Sequence, residues 1–209
     1  MKSVFHISLL FSLIFLTACG TSVPELPALD KEAVILAFGD NLTLGAHVPT
    51  AQTYPAQLQS RIPQRVINAG LDGEDLAVAG ARLSTLLKQH QPKILLLCHS
   101  GYQSDEKDDG VQTVEYFRQL INTALQHQVS VVLIGFPGEG KHRAPPHFYR
   151  RMGRAFKIPY HGAVLGRIYT DIDKMDKQSN LPNAGGYQFL AEELEKLLRK
   201  TGALPELSS

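Results

Sequence analysis

The side chains in this sequence that could do chemistry fall into a few small groups. His99 and Ser100 stand side by side at the end of an apolar run. A serine becomes a nucleophile when a base within hydrogen-bonding reach takes its proton. Neighbouring side chains on a strand point to opposite faces, so the plainer reading has both satisfied by backbone or water at a loop entrance. His142, His147 and Glu139 share a loop, but two prolines separate the histidines at a spacing that is no established ligand pattern, so no metal is expected. The acidic run from Ser104 to Asp109, ending in Gly110, offers oxygens to a weak calcium site or, more plainly, a polar lead-in to a helix. Lys141 and Arg143 form either an anion-receiving pair or a solvated basic turn. Asp171, Asp173 and Asp176 lie near the tail, where no histidine follows His161.

The elements that must position these groups alternate in type. Short apolar runs at Ala33–Phe38, Arg65–Asn68, Lys93–Cys98 and Ser130–Gly135, with a weaker fifth near Ile158–Ala163, lack polar alternation and suit strands buried on both faces. Helical spacing fills the gaps. Leu76, Ala79, Leu83, Leu86 and Leu87 share one face, as do Val114, Phe117, Ile121, Ala124 and Leu125, and then Leu190, Leu194, Leu197 and Leu198. Pro182-Asn183 starts the last helix and Gly202 stops it. This alternation predicts an α/β sandwich around a parallel sheet, with ligands bound beyond the carboxyl ends of the strands. The loops at 39–46, 70–75, 99–110, 137–147 and 176–183 are therefore where function is expected.

The 209 residues suit one globular domain behind a leader. Lys2 precedes an apolar run from Leu9 to Leu16, too short to span a bilayer but suited to a signal-peptide core. Leu16-Thr17-Ala18-Cys19-Gly20 is similar to a bacterial lipobox, which implies a signal peptide over 1–18 and acylation of Cys19. Gly20 in place of Asp favours an outer-membrane destination, so the expected location is the cell envelope, lipid-anchored. Residues 19–32, with their prolines, read as the lipidated cysteine and a tether, 33–201 as the domain and 202–209 as a tail. Lys and Arg number 21 against 20 Asp and Glu, and no basic stripe stands out, which argues against nucleic acid and against adhesion to lipid by charge alone. Cys98 is the one thiol left in the domain and reads as a small buried hydrophobe.

Four segments then fall into register. Phe38-Gly39-Asp40-Asn41-Leu42-Thr43-Leu44-Gly45 follows the first strand; Asn68-Ala69-Gly70-Leu71-Asp72-Gly73-Glu74 follows the second; Leu86 to Pro92 leads into the third; and Leu181-Pro182-Asn183-Ala184-Gly185-Gly186-Tyr187 precedes the last helix. In order and spacing these resemble the conserved blocks of the SGNH/GDSL hydrolases, in the branch of thioesterase I, lysophospholipase L1 and arylesterase. The resemblance covers Ala33 to Arg199. It implies a three-layer α/β/α sandwich with a central, mostly parallel five-stranded sheet, flavodoxin-like, and no cofactor.

The same resemblance implies a serine nucleophile, two oxyanion donors besides its own amide, and an Asp-x-x-His pair. Asn41 stands at the nucleophile position, and a carboxamide nitrogen cannot be activated by a neighbouring base as a hydroxyl can. Gly73 keeps the backbone donor. Tyr102 replaces the asparagine donor and either fills the acyl site or offers a ring to a ligand. Gln178 replaces the acid, and Leu181 replaces the base. The expectation is a degenerate, catalytically inactive pseudo-hydrolase whose cleft, with Asn41, Gly73 and Tyr102 as candidates, binds a glycan, an acyl chain or a protein partner of the envelope. The alternative is an active esterase, lysophospholipase or acyl-thioesterase rearranged around Ser100, Ser104 or His99.

Overall fold

The structure, a computed structural model, describes residues 23–101, 110–138, 141 and 143–206. Five strands form one parallel sheet: β1 (Val34–Gly39), β2 (Arg65–Gly70), β3 (Ile94–Cys98), β4 (Ser130–Ile134) and β5 (Tyr160–His161), in the order β2-β1-β3-β4-β5. Around it lie α1 (Asn41–Leu44), α2 (Tyr54–Gln59), α3 (Leu76–His90), α4 (Val111–Gln126), α5 (His147–Phe156), α6 (Val164–Tyr169) and α7 (Ala184–Lys200). The architecture is the expected three-layer sandwich.

Period two in the strands divides the core. Leu36, Phe38, Leu95 and Leu97 pack with Leu83, Phe117, Ile121 and Tyr149 on the side of α3, α4 and α5. Ile35, Ala37, Leu96 and Cys98 pack with Leu58, Leu190, Leu194 and Leu198 on the side of α2 and α7. Each leucine so enclosed contributes about 1.5–3 kcal/mol. After β1 the chain builds β2 on one side and β3 on the other, so a crevice opens where these connections part, at the carboxyl ends of the strands.

Local chemistry fixes the helices that frame this crevice. Asp75 caps α3 by accepting from the amide of Ala77 at 2.8 Å, and Asn183 caps α7 by accepting from that of Gly186 at 3.0 Å. In α4, Leu120 takes the buried place given above to Leu125, which is 39% exposed. The helix α5 falls partly in a segment read as loop; only Tyr149, Met152 and Gly153 of its ten residues are buried, and its outer face is arginine-rich. Chain ends pack further than the boundaries 33 and 201. Leu26 and Leu29 donate to the carbonyls of Thr201 and Ala203 at 2.8 and 2.9 Å, and Leu26, Ala203 and Leu204 are buried. Their apolar side chains join the core beside α7. The signal peptide and Cys19 lie outside the described residues. Among those described, no helix is long and apolar enough to cross a membrane.

Two glycines set the bend after β1. A Cβ on Gly39 would stand 1.7 Å from the carbonyl oxygen of Cys98, and one on Gly70 would stand 2.1 Å from the amide nitrogen of Leu44. Backbone crowds the site from both sides, and only a hydrogen fits. Gly73, by contrast, has a φ of +62° but open space around it. In urea unfolding, Gly39→Ala should cost about 3 kcal/mol or more, from overpacking against backbone, whereas Gly73→Ala should cost about 1–2 kcal/mol of left-handed strain. Equal losses would contradict this account of the bend.

Candidate functional site

A cleft of about 400 Å³ opens at the carboxyl ends of the strands, lined by Asp40, Asn41, Leu42, Gly73, Glu74, Ser100, Phe136 and Leu181. Asp40, at the end of β1, is buried and caps α1, accepting from the amide of Leu42 at 3.4 Å. Its other carboxylate oxygen accepts from the Ser100 amide at 2.8 Å and from the Ser100 hydroxyl. Asn41 begins α1, and its Oδ1 accepts from the backbone N–H of Gly73 at 2.6 Å. The loop after β2 is thereby tied across the cleft to the loop after β1.

Behind the cleft lies a buried charge network. Glu74, 4% exposed, takes Nε and Nη2 of Arg82 on its two oxygens. Arg82 also donates to the carbonyls of Ala69 and Gly39, at 2.8 and 3.3 Å, and lies over the Phe38 ring. His99 is fully enclosed. Its Nδ1 accepts from the Gly101 amide at 3.0 Å, which assigns the proton to Nε2. That N–H has no hydrogen-bond partner and lies 3.7 Å from Glu74. Burial lowers the His99 pKa against the opposing pull of Asp40 and Glu74, so the ring is neutral.

No family model matches the chain. It is 26% identical over 172 residues to thioesterase 1/protease 1/lysophospholipase L1 of Escherichia coli K12, covering 79% of this chain and 83% of that protein. It is 27% identical over 141 residues to esterase TesA of Pseudomonas aeruginosa, covering 65% of this chain and 67% of that protein. Among solved structures, TesA superposes with a TM-score of 0.70 at 20% identity, over 80% of this chain and 99% of that one. AlinE4, an SGNH-hydrolase family esterase, superposes with a TM-score of 0.59 at 18% identity, over 83% of this chain and 98% of that one. The chain has the SGNH/GDSL-hydrolase fold. The relatives and structural neighbours are hydrolases of this kind, thioesterase I and lysophospholipase L1 among them.

Asn41, Gly73 and Leu181 come together around one cleft. Gln178 does not line it: this residue is exposed, on a turn where Asp176 accepts from the amides of Gln178 and Ser179 at 3.1 and 2.7 Å. Tyr102, Ser104, Glu139 and His142 lie outside the described residues. Ser100 lines the cleft, while His99 is fully enclosed, its Nδ1 3.6 Å from the Asp40 oxygen that Ser100 also meets and its Nε2 3.7 Å from Glu74. His47 reaches the tail loop, donating or accepting at 2.9 Å with the carbonyl of Pro182 and packing on Tyr187, yet it is not part of the cleft wall. Lys141 and Arg143 open on a separate hollow of about 840 Å³ with Arg167 and Tyr169. Cys98 is free and buried, and burial pushes its thiol pKa up, as for an inert core residue. Sequence reading missed the network of Glu74 and Arg82. Its one trace was a charged residue, Arg82, set among the apolar positions of α3.

The neutral imidazoles predict a pH response. His99 and His161 both have pKa values lowered by burial. The stability they confer is complete above the unfolded value of about 6.5 and falls below it, as the unfolded chain takes up protons first. The midpoint of urea unfolding should therefore fall between pH 6.5 and 5, above the range where carboxylates titrate. His99→Asn, which keeps an acceptor for Gly101, should flatten that fall; an unchanged slope would rule out His99 as a source.

Proposed function

We propose that the cleft binds an acylated ligand, an ester, thioester or lysophospholipid of the class that names the relatives, and does not hydrolyse it by the family's serine route. One observation carries this reading: the 2.6 Å hydrogen bond from the Gly73 amide to Asn41 Oδ1. In the resembling enzymes that amide stabilises the substrate's developing oxyanion, a contribution worth about 2.7–4 kcal/mol per donor. Here it is occupied by the side chain that replaces the nucleophile. Across the cleft Leu181 has no proton to exchange. The chain's own carboxamide acts as a fixed polar plug at the reacting position, and the apolar wall of Leu42, Phe136 and Leu181 remains for an acyl chain. Acylation at Cys19 would hold this cleft at the cell envelope, in the outer membrane by the residue that follows, where glycans and proteins are further candidate partners.

The second reading is hydrolysis by a rearranged centre, and the comparisons favour it, since the relatives are named for thioesterase, lysophospholipase and esterase activity. What the cleft offers is Ser100, whose hydroxyl donates to Asp40. A carboxylate is a weak base toward an alcohol, which limits this route. Turnover of p-nitrophenyl esters separates the two readings. The wild-type chain should not exceed background, and Ser100→Ala should change nothing. Asn41→Ser with Leu181→His should gain about 10²-fold over Asn41→Ser alone, the usual contribution of a positioned base. Gln178→Asp should add less, because that position is off the cleft wall. Wild-type turnover that disappears in Ser100→Ala would establish the second reading.

A further inference from the structure

Between Gly140 and Thr170 the chain has seven Lys and Arg residues and no Asp or Glu, in a protein of net charge +1. The whole-chain balance conceals this segregation. Four of the cations, Arg150, Arg151, Arg154 and Lys157, project from α5 and the residue that ends it, and all are exposed. Positions 150, 154 and 157 share one face at helical spacing, with Gly153 beside them, while Tyr149 and Met152 face the core. Among the described residues, none of the four has a carboxylate partner within ion-pair distance. The N-terminal segment leaves the domain against the same helix. Val23 and Pro24 line a hollow of about 460 Å³ with Arg150, Arg154, Lys157 and Tyr160. Glu25 follows in sequence and offsets only one of these charges. Cys19 lies four residues before Val23, a stretch that reaches about 14 Å at most.

We propose that the cationic face of α5 docks on anionic phospholipid headgroups, brought there by acylated Cys19; this rests on the acylation reading above. A lipid surface is favoured over other polyanions because the described chain begins at Val23 against the cationic stripe, four residues after Cys19. The anchor would bring the face to the surface and the charge would orient it there. Lys157 precedes β5, at the amino ends of the strands, whereas Asn41 and Gly73 lie at the carboxyl ends. Docking therefore leaves the cleft mouth clear.

The test uses the acylated chain extracted from membranes and reconstituted in phosphatidylcholine vesicles with or without phosphatidylglycerol. Fluorophores are placed through Lys157→Cys, at the end of the cationic stripe, and through exposed Val78→Cys on α3; Cys98 is buried and does not compete. A headgroup quencher should darken the label at 157 and not at 78, only with phosphatidylglycerol present. Each cation contributes about fivefold to partition, so Arg150→Glu with Arg151→Glu and Arg154→Glu should weaken binding of the unacylated Cys19→Ser chain about 10²-fold or more. Quenching at 78 equal to that at 157, or binding indifferent to charge reversal, overturns the docking face. Absence of acyl chains on Cys19 by mass spectrometry overturns the anchor alone, since the charge-dependent binding of the Cys19→Ser chain then stands or falls by itself.

Discussion

Arg82 donates to the carbonyls of Gly39 and Ala69, near the ends of β1 and β2, and forks onto Glu74, with its guanidinium over the ring of Phe38. The Gly39 carbonyl also accepts from the Leu71 amide at 3.0 Å. A planar, permanently charged group with five donors reaches both strand ends and both Glu74 oxygens at once. The loops carrying Asn41 and Gly73 therefore meet at a fixed separation. Only glycine fits at positions 39 and 70, because backbone closes in on both. The clamp of Arg82 and the hydrogen bond from the Gly73 amide to Asn41 together fix where that amide sits.

Much of the fold was legible because it rests on periodicity. Runs such as Lys93–Cys98 and Ser130–Gly135 give buried parallel strands, and the leucines of α3 and α7 mark their buried faces. The helices α1, α2 and α6 are too short for a 3.6-residue pattern to emerge, and α5 hides its pattern under arginine. The cleft was legible as a register of blocks: Asn41, Gly73 and Leu181 do share one wall. Where Gln178 sits, exposed on a turn off the cleft wall that Asp176 holds, is not carried by spacing alone. The link between Glu74 and Arg82 joins a loop to a helix across a charge pair with no sequence rule. The basic face of α5 was missed because a chain-wide charge count averages it against acids elsewhere.

An oxyanion hole is a set of donors with no partner until substrate arrives, and that lack of a partner is part of its power. Here Asn41 gives the Gly73 amide a partner, tying two loops together beside an apolar wall of Leu42, Phe136 and Leu181. On the proposed reading such a cleft holds an acyl group rather than cleaving its ester. Ser100 and Asp40 keep the opposing case open to experiment, since a hydroxyl and a carboxylate do meet at the wall.

Intact-mass and peptide spectrometry after exposure to a fluorophosphonate probe tests this most directly, because the probe bonds only to an activated hydroxyl. The account predicts no adduct on the wild-type chain, and an adduct at position 41 once Asn41→Ser and Leu181→His are combined. A stoichiometric adduct on Ser100 of the wild-type chain would contradict it.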